Sequence, residues 1–180
     1  KKLNIINIPD KAIIEIDGGY LIEGSNITFD KNLNLIISNN KTLITDLYEN
    51  KFYMHTFSYS IIDKILIAEN VEIIDIDKNV YEVQNIRFNL KTNEIIGKDL
   101  SLNFNNENIN SGKNEPRLRG NAIFYNKNST KISKGVFTTC KKEDNCPPWT
   151  LSAEKIEHNK IKKTINYKNA FLKLYDVPVF

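Results

Sequence analysis

The sequence lacks the features that define several large classes of protein. No apolar run approaches the roughly 20 residues that a membrane-spanning helix needs, and the chain does not open with the basic, apolar and small residues of a signal peptide. If the protein is exported, we therefore expect a mature or trimmed chain. Its net charge at pH 7 is only +3, and its basic residues are spread evenly, so no nucleic-acid partner is expected.

Sequence signatures of catalysis are also missing. The chain contains no glycine-rich phosphate loop, no Gly-x-Ser-x-Gly elbow and no His-Glu-x-x-His. Its two histidines, His55 and His158, have no neighbouring cysteine or acidic cluster at ligand spacing. The sequence therefore predicts no enzyme, no metal site and no cofactor.

What the chain does contain is a persistent alternation of β-branched or aromatic residues with polar ones, from Leu3 to Phe104. A period of two predicts strands, and even residues 152–161, which have helical propensity, are assigned to a strand. At 180 residues the chain fits one domain, residues 1–180. The runs that carry this pattern are residues 12–16, 27–29, 33–35, 57–59, 71–73, 86–88 and 100–104.

An internal repeat underlies the alternation. Residues 42–68 align without a gap with residues 71–97, 29 positions further on. The apolar phase is kept between the two copies, and weaker copies include Leu100 with Leu102 and the group Ala170, Leu172 and Leu174. Self-similarity at a fixed period indicates stacked units that bury a face only against their neighbours.

Both good copies of the repeat shift the apolar phase by three positions, from Met54 to Phe57 and from Val83 to Ile86. A bulge or corner is needed to return the second run to the same face. Each unit is then a bent strand pair that folds over a shared interior. We predict an all-β fold, a twisted jellyroll trough of short antiparallel strands with an apolar interior between two facing sheets.

Two polar stretches break the pattern. Residues 105–120 are predicted to form a long loop, and residues 141–148 a charged loop that ends in two prolines. Cys140 and Cys146 border that second loop at a spacing of six, which fits neither a CxxC motif nor zinc ligands, and a disulfide is the better interpretation.

The last quarter of the chain resembles a known family. It contains Gly-Val-Phe-Thr-Thr-Cys at 135–140, Pro-Trp-x-Leu-Ser-Ala-Glu-Lys-Ile at 148–156, and Asn-Ala-Phe-Leu-Lys-Leu-Tyr-Asp-Val-Pro-Val-Phe at 169–180. These motifs are similar to the lipopolysaccharide-assembly outer-membrane protein family LptD, also called OstA, where its N-terminal periplasmic domain meets its barrel. Residues 175–180 would be the lead-in to a C-terminal β-barrel that this sequence does not contain.

The resemblance implies a β-jellyroll whose open interior carries lipid A acyl chains. From the residue pattern alone, a closed core is the favoured interpretation, and it is the resemblance that favours an open interior. The residues that we predict to line the interior are Ile27, Phe29, Leu35, Met54, Phe57, Tyr59, Val83, Ile86, Phe88, Ile95, Leu100 and Leu102.

The resemblance also implies partners and a location. The periplasmic bridge protein LptA would bind an N-terminal edge strand within residues 3–16, and the C-terminal end would continue into the barrel with its plug lipoprotein LptE. Arg117 and Arg119 are candidates for lipid phosphates or for an ordinary solvated loop. The expected location is the periplasmic face of the outer membrane in a Gram-negative bacterium.

The cysteines follow the family only in part. Periplasmic-domain cysteines of the family form disulfides with the barrel, and Cys140 matches the position after the Thr-Thr strand. This chain has no cysteine near its N-terminus and has Cys146 close by. Cys146 could pair with Cys140, or both could pair with the barrel.

The function expected from the resemblance is a periplasmic lipid conduit that passes lipopolysaccharide from a bridge to the barrel. Two alternatives stay open. One is a soluble bridge component of the same transport line. The other is a carbohydrate-binding β-solenoid or sandwich adhesin, which predicts exposed aromatic platforms and a packed interior.

Overall fold

The computed structural model describes residues 4–16, 18–105, 114–143, 148–159 and 161–179. Sixteen antiparallel strands and no helix form within these residues, which confirms the all-β prediction. The strands are β1 Ile5–Ile8, β2 Ala12–Ile16, β3 Tyr20–Gly24, β4 Ile27–Asp30, β5 Leu35–Ser38, β6 Thr42–Thr45, β7 Lys51–Met54, β8 Thr56–Ser60, β9 Ile65–Ile74, β10 Val80–Asn89, β11 Glu94–Asn103, β12 Arg117–Tyr125, β13 Ser129–Thr138, β14 Trp149–Asn159, β15 Thr164–Leu174 and β16 Val177–Pro178.

All sixteen strands belong to one sheet that branches at β9. The residues of β9 nearest its start pair with β8, which continues through β5 and β4 to β1. Those nearest its end pair with β7, which continues through β6 and β3 to β2. The eight short strands are therefore the separated halves of four bent strands, and β9 to β15 are bent strands without a break. Among the described residues, the strands at the two ends of the sheet do not pair with each other.

We call the branch with β2, β3, β6 and β7 the first half-sheet and the branch with β1, β4, β5 and β8 the second half-sheet. Each strand from β9 to β15 contributes one half to each branch. In mid-strand, one residue of each strand has no Cα partner in the neighbouring strand, and this position separates the two halves. These skipped positions form the bend row: Asn70, Gln84, Asp99, Asn121, Lys134, Glu154 and Asn169.

The bend row has a simple backbone basis. Every second strand carries a residue in the left-handed region there, with φ of 51° at Asn70, 54° at Asp99, 48° at Lys134 and 49° at Asn169, so that three of the four are Asn or Asp. Asn and Asp adopt this conformation at lower cost than most residues because their short polar side chains bond locally. Such a residue bends the strand and turns its second half onto the same interior. The predicted corner is confirmed, since His55 links β7 to β8 and Gln84 lies in the bend row of β10.

The 29-residue repeat is confirmed by two turns with the same hydrogen bonds. In the β6–β7 turn, Asp46 Oδ1 accepts the backbone N–H of Asn50 at 2.9 Å, and Asp46 Oδ2 accepts its Nδ2 at 2.8 Å. In the β9–β10 turn, Asp75 accepts the same two donors of Asn79 at 2.8 and 2.9 Å. Turn hydrogen bonding accounts for Asp46 and Asp75 at these positions.

Two sequence predictions are wrong in detail. Residues 33–35 do not form a strand, since Leu33 is exposed in the β4–β5 turn and β5 begins at Leu35. The long loop ends before Arg117, because Leu118 pairs with Leu102 on one side and Phe137 on the other and is buried. Residues 106–113 of that loop lie outside the described residues.

The two half-sheets face each other across an apolar interior. Phe52 of the first half-sheet stacks on Phe88 of the second with ring centroids 5.8 Å apart. Tyr20 meets the same Phe88 ring edge-on at 5.7 Å. Aromatic pairs of this kind contribute about 0.5–1.5 kcal/mol beyond the area that they bury, so they hold the halves together around β3, β7 and β10.

Candidate functional site

Next to the bend row, the inner face is continuous and carries no Lys, Arg, Asp or Glu. Two rows of inward residues run along each half-sheet, next to the bend row, and none of their members is Lys, Arg, Asp or Glu. The rows of the first half-sheet are Ala12, Gly24, Thr42, Met54, Val71, Val83, Leu100, Gly120, Gly135, Ala153 and Ala170, and then Ile14, Ile22, Ile44, Phe52, Ile73, Tyr81, Leu102, Leu118, Phe137, Leu151 and Leu172. Those of the second are Ile8, Ile27, Ser38, Phe57, Ala68, Ile86, Gly97, Ile123, Ile132, Ile156 and Tyr167, and then Ile6, Phe29, Ile36, Tyr59, Leu66, Phe88, Ile95, Tyr125, Thr130, His158 and Ile165.

From β3 to β11 the inner face is packed shut. Ile22, Tyr59 and Leu66 are at most 2% exposed, and Tyr20 spans the opening to donate a hydrogen bond to Asn93 Oδ1 at 2.9 Å. Asn93 lies in the β10–β11 turn at the rim of the second half-sheet. In this part of the molecule the interior is filled by its own side chains.

At β15 the inner face is open. Inward residues of this strand remain exposed, with Ile165 at 55%, Tyr167 at 45% and Leu174 at 45%. The reason is that β15 has a neighbour on only one side, apart from the two residues that pair with β16. The uncharged inner surface therefore reaches solvent at this end of the sheet.

Glycines next to the bend row allow the halves to approach. A Cβ added at Gly120 would overlap Cγ2 of Ile132, and one added at Gly135 would overlap Cδ1 of Ile156. Both isoleucines belong to the second half-sheet row, so their methyl groups fill the space that a larger residue would occupy. The interior is close-packed at the bend from β12 to β14.

Two inward tyrosines, Tyr20 and Tyr81, have hydrogen-bonded hydroxyl groups. Tyr20 lies under the rim, where burial and then the Asp46 carboxylate raise its pKa from 10.0 to about 12. The Tyr81 hydroxyl donates to Asp75 Oδ2 at 3.0 Å, and burial, followed by that carboxylate, raises its pKa. Both hydroxyls are therefore neutral donors at physiological pH.

Eleven of the twelve residues predicted to line the interior face it. The exception is Leu35, which pairs with Asp30 and Ser60 on the outer phase while Ile36 is the inward residue. The prediction failed because 35–37 are all apolar, and alternation cannot fix the phase of such a run. Sequence reasoning also missed Ile123, Ile132 and Ile156, which lie outside the clear repeat copies.

The predicted phosphate-binding arginines have different surroundings. The Arg117 guanidinium donates to the backbone oxygens of Glu115 and Lys141, each at 3.3 Å, and of Cys140. It therefore holds the segment that follows β13 against the strand. Arg119 is exposed on the outer face.

Of the two cysteines, Cys140 lies among the described residues. Cys140 carries a half-buried free thiol, with Sγ 3.8 Å from the backbone oxygen of Trp149. Cys146 lies outside the described residues, so the disulfide stays a prediction.

Within the described ranges no group of three His, Cys, Asp or Glu side chains could hold a metal ion. A cavity of about 630 Å³ lies on the outer side of the bend, where Lys11 forms an ion pair with Glu23 at 2.6 Å and His55 and Glu72 also line it. No helix among the residues described is long and apolar enough to cross a membrane.

Among the described residues, β1, β2 and most of β15 each have a neighbouring strand on one side only. β1 and β2 end the two branches at the N-terminal side, and their Ile5 and Ile13 side chains are exposed. β15 presents its edge at the other side. Unpaired backbone groups of an edge strand can be extended by a strand from another chain.

No family model matches this chain, and no curated protein matches it. The resemblance to the LptD family therefore depends on the C-terminal motif and the repeat pattern. Membership of that family stays a prediction.

Proposed function

We propose that this chain is a conduit domain for the acyl chains of lipopolysaccharide, at the periplasmic face of the outer membrane, and not an enzyme. The observation that carries the proposal is the inner face, where rows of residues cross the whole sheet without a single Lys, Arg, Asp or Glu. The same rows include residues of β15 that are exposed, such as Ile165 and Tyr167.

The energetics favour a continuous path over discrete sites. Hydrocarbon burial is worth about 0.8 kcal/mol per methylene, so moving several acyl chains through water is prohibitively slow. Along an uncharged trough each step exchanges one apolar surface for another of the same kind. Movement then needs no catalytic group and little free energy.

The packed section sets a condition on this function. Between β3 and β11 the interior is occupied by side chains such as Phe52 and Phe88. A lipid must therefore enter at the open β15 end, or it must separate the half-sheets between β3 and β11. Separation would break the hydrogen bond between Tyr20 and Asn93. Opening and closing of the conduit would then be controlled at this section by the position of Tyr20.

We further propose the direction of assembly. The edges of β1 and β2 would receive the bridge protein LptA by strand addition, and the open end at β15 would face the barrel and LptE. A disulfide of Cys140 to Cys146 or to the barrel would fix that junction in an oxidising compartment.

A carbohydrate-binding adhesin is the second candidate, because the interior from β3 to β11 is packed as that alternative predicts. Its binding platform would have to lie outside. The outer aromatic residues Tyr53 and Phe171 lie on β7 and β15, at separate places on the sheet. Dispersed rings of this kind are a weaker basis for binding than a continuous inner face.

The decisive test compares two adjacent residues of β15 that face opposite ways. Tyr167→Asp places a carboxylate on the inner face, whereas Asn166→Asp places one on the outer face, and both positions are exposed enough to tolerate it. In titrations with fluorescently labelled lipopolysaccharide we expect Tyr167→Asp to weaken binding about tenfold. Asn166→Asp should bind as the wild type does. Equal effects of the two variants, or no binding by the wild type, would refute the conduit.

A further inference from the structure

Tyr59 differs from Tyr20 and Tyr81, the inward tyrosines whose hydroxyl groups form the hydrogen bonds described above. It lies near the end of β8, in the same row as Leu66 and Phe88, and its side chain is only 1% exposed. Its hydroxyl oxygen is fully enclosed and has no hydrogen-bond partner among the residues described. By contrast, Tyr20 donates to Asn93 and Tyr81 to Asp75.

An enclosed hydroxyl without a partner is unfavourable, because it has lost its bonds to water and gained none. Phenylalanine would fill the same volume and pack against the same apolar neighbours without this cost. The packed interior thus gives no reason for the oxygen. A hydrogen-bond acceptor that arrives with a ligand gives one.

We propose that the Tyr59 hydroxyl is a polar docking point inside the apolar trough, where it donates a hydrogen bond to an oxygen carried on an acyl chain. The acceptor is an ester or amide carbonyl, or a hydroxyl on the chain. This inference rests on the proposed function, since it needs a hydrocarbon chain in the interior. Beyond the proposed function, we infer that the trough binds acyl chains that carry an oxygen acceptor in preference to unsubstituted acyl chains.

The geometry also defines when the bond forms. Tyr59 belongs to the section that Tyr20 closes by bonding to Asn93, so the hydroxyl becomes accessible only when the half-sheets part. A chain that carries an acceptor would then gain a bond that the closed state cannot offer. Such chains should hold the trough open longer than plain ones.

The test uses three probes that differ by one group in mid-chain. They are octadecanoic acid and its derivatives with a keto or a hydroxyl group near the centre, and each displaces a fluorescent fatty acid from the 180-residue chain. We compare the wild type with Tyr59→Phe, and with Tyr81→Phe as a control whose hydroxyl is already bonded to Asp75.

We expect the preference for the two oxygenated probes over plain octadecanoic acid to fall about fivefold in Tyr59→Phe. Tyr81→Phe should keep that preference, and affinity for the plain probe should not change in Tyr59→Phe. The same preference in the wild type and Tyr59→Phe would overturn the docking point while leaving the conduit intact. Failure of the wild type to bind any probe would refute the conduit itself.

Thermal unfolding without lipid gives an independent readout. Because Tyr59→Phe removes an unpartnered oxygen, its Tm should equal or exceed that of the wild type, whereas Tyr81→Phe should lower it. A clear decrease in Tm for Tyr59→Phe would mean that the hydroxyl is already hydrogen-bonded in the lipid-free protein, which would overturn the proposal.

Discussion

The side chain of Asn50 accepts a hydrogen bond from the backbone N–H of Ile76 in the next repeat, with Oδ1 and N 3.0 Å apart. The equivalent Asn79 accepts the N–H of Asn105 at 2.9 Å. Each Asn thus closes its own turn with an Asp and also binds the backbone just beyond the end of the neighbouring strand, β9 or β11. This ladder sets the stacking of the strands along the rim of the first half-sheet.

Asn79→Ala should lower the free energy of unfolding by about 1–3 kcal/mol, because it removes bonds to Asp75 and to the N–H of Asn105 from a half-buried turn. Asn89→Ala is the matched control. Asn89 also caps a turn, but it bonds only Lys91 and Thr92 locally at an exposed rim. Urea unfolding of both variants measures the difference, and equal losses would mean that the bond between turns contributes nothing.

Gly120→Ala should destabilise the fold more than Gly135→Ala. The new methyl at 120 would overlap Cγ2 of Ile132, which moves little because the χ1 angle of a β-branched residue is restricted. It would also lie 3.2 Å from the backbone oxygen of Ser133. At 135 it would overlap the terminal Cδ1 of Ile156, which can rotate away. We expect a loss of about 1–3 kcal/mol at Gly120. A greater loss at Gly135 would contradict the packing described at the bend.

Stability should fall in alkaline solution partly through Tyr20. Its pKa is raised from 10.0 to about 12 on folding, so the folded state binds the proton more tightly than the unfolded chain between these values. The contribution is complete below about pH 10 and is lost as the pH rises towards about 12. Urea unfolding across this range should give a flatter profile for Tyr20→Phe than for the wild type. Parallel profiles would show that Tyr20 does not titrate in this way.

Asn93→Gly should speed the uptake of a fluorescent fatty acid severalfold, because it removes the acceptor that Tyr20 uses to close the packed section. Glycine suits the positive φ of 54° at this position. Asn34→Gly is the control, since Asn34 has a φ of 52° in the β4–β5 turn. Stopped-flow fluorescence compares the rates. Equal rates in the two variants would show that the bond to Asn93 is no gate.

The repeating part of the fold could be predicted from the sequence because the two-residue alternation of the strands is superimposed on the 29-residue repeat. Alternation defines each half-strand, and the three-residue step from Met54 to Phe57 marks the bend. The step recurs from Val83 to Ile86, which lets one copy support the other. Polar residues such as Asn70 and Asp99 at the bend provide the backbone reason for it.

The failures have local causes. Leu35 to Ile37 are all apolar, so only the pairing with β4 and β8 decides which of them faces inward. Arg-Leu-Arg-Gly at 117–120 looks like loop sequence, yet Leu118 is buried between Leu102 and Phe137. Whether the interior is packed or open could not be predicted, because it depends on how closely the half-sheets approach at each strand.

Photocrosslinking from Phe88 and Arg87, one at a time, in cells that make the protein, tests the central claim most directly. These neighbours on β10 face opposite ways, since Phe88 is buried inside and Arg87 is exposed outside. The account predicts crosslinks to lipopolysaccharide from position 88 and none from position 87. Crosslinks from position 88 only to the protein itself would mean a permanently closed core and would contradict the conduit.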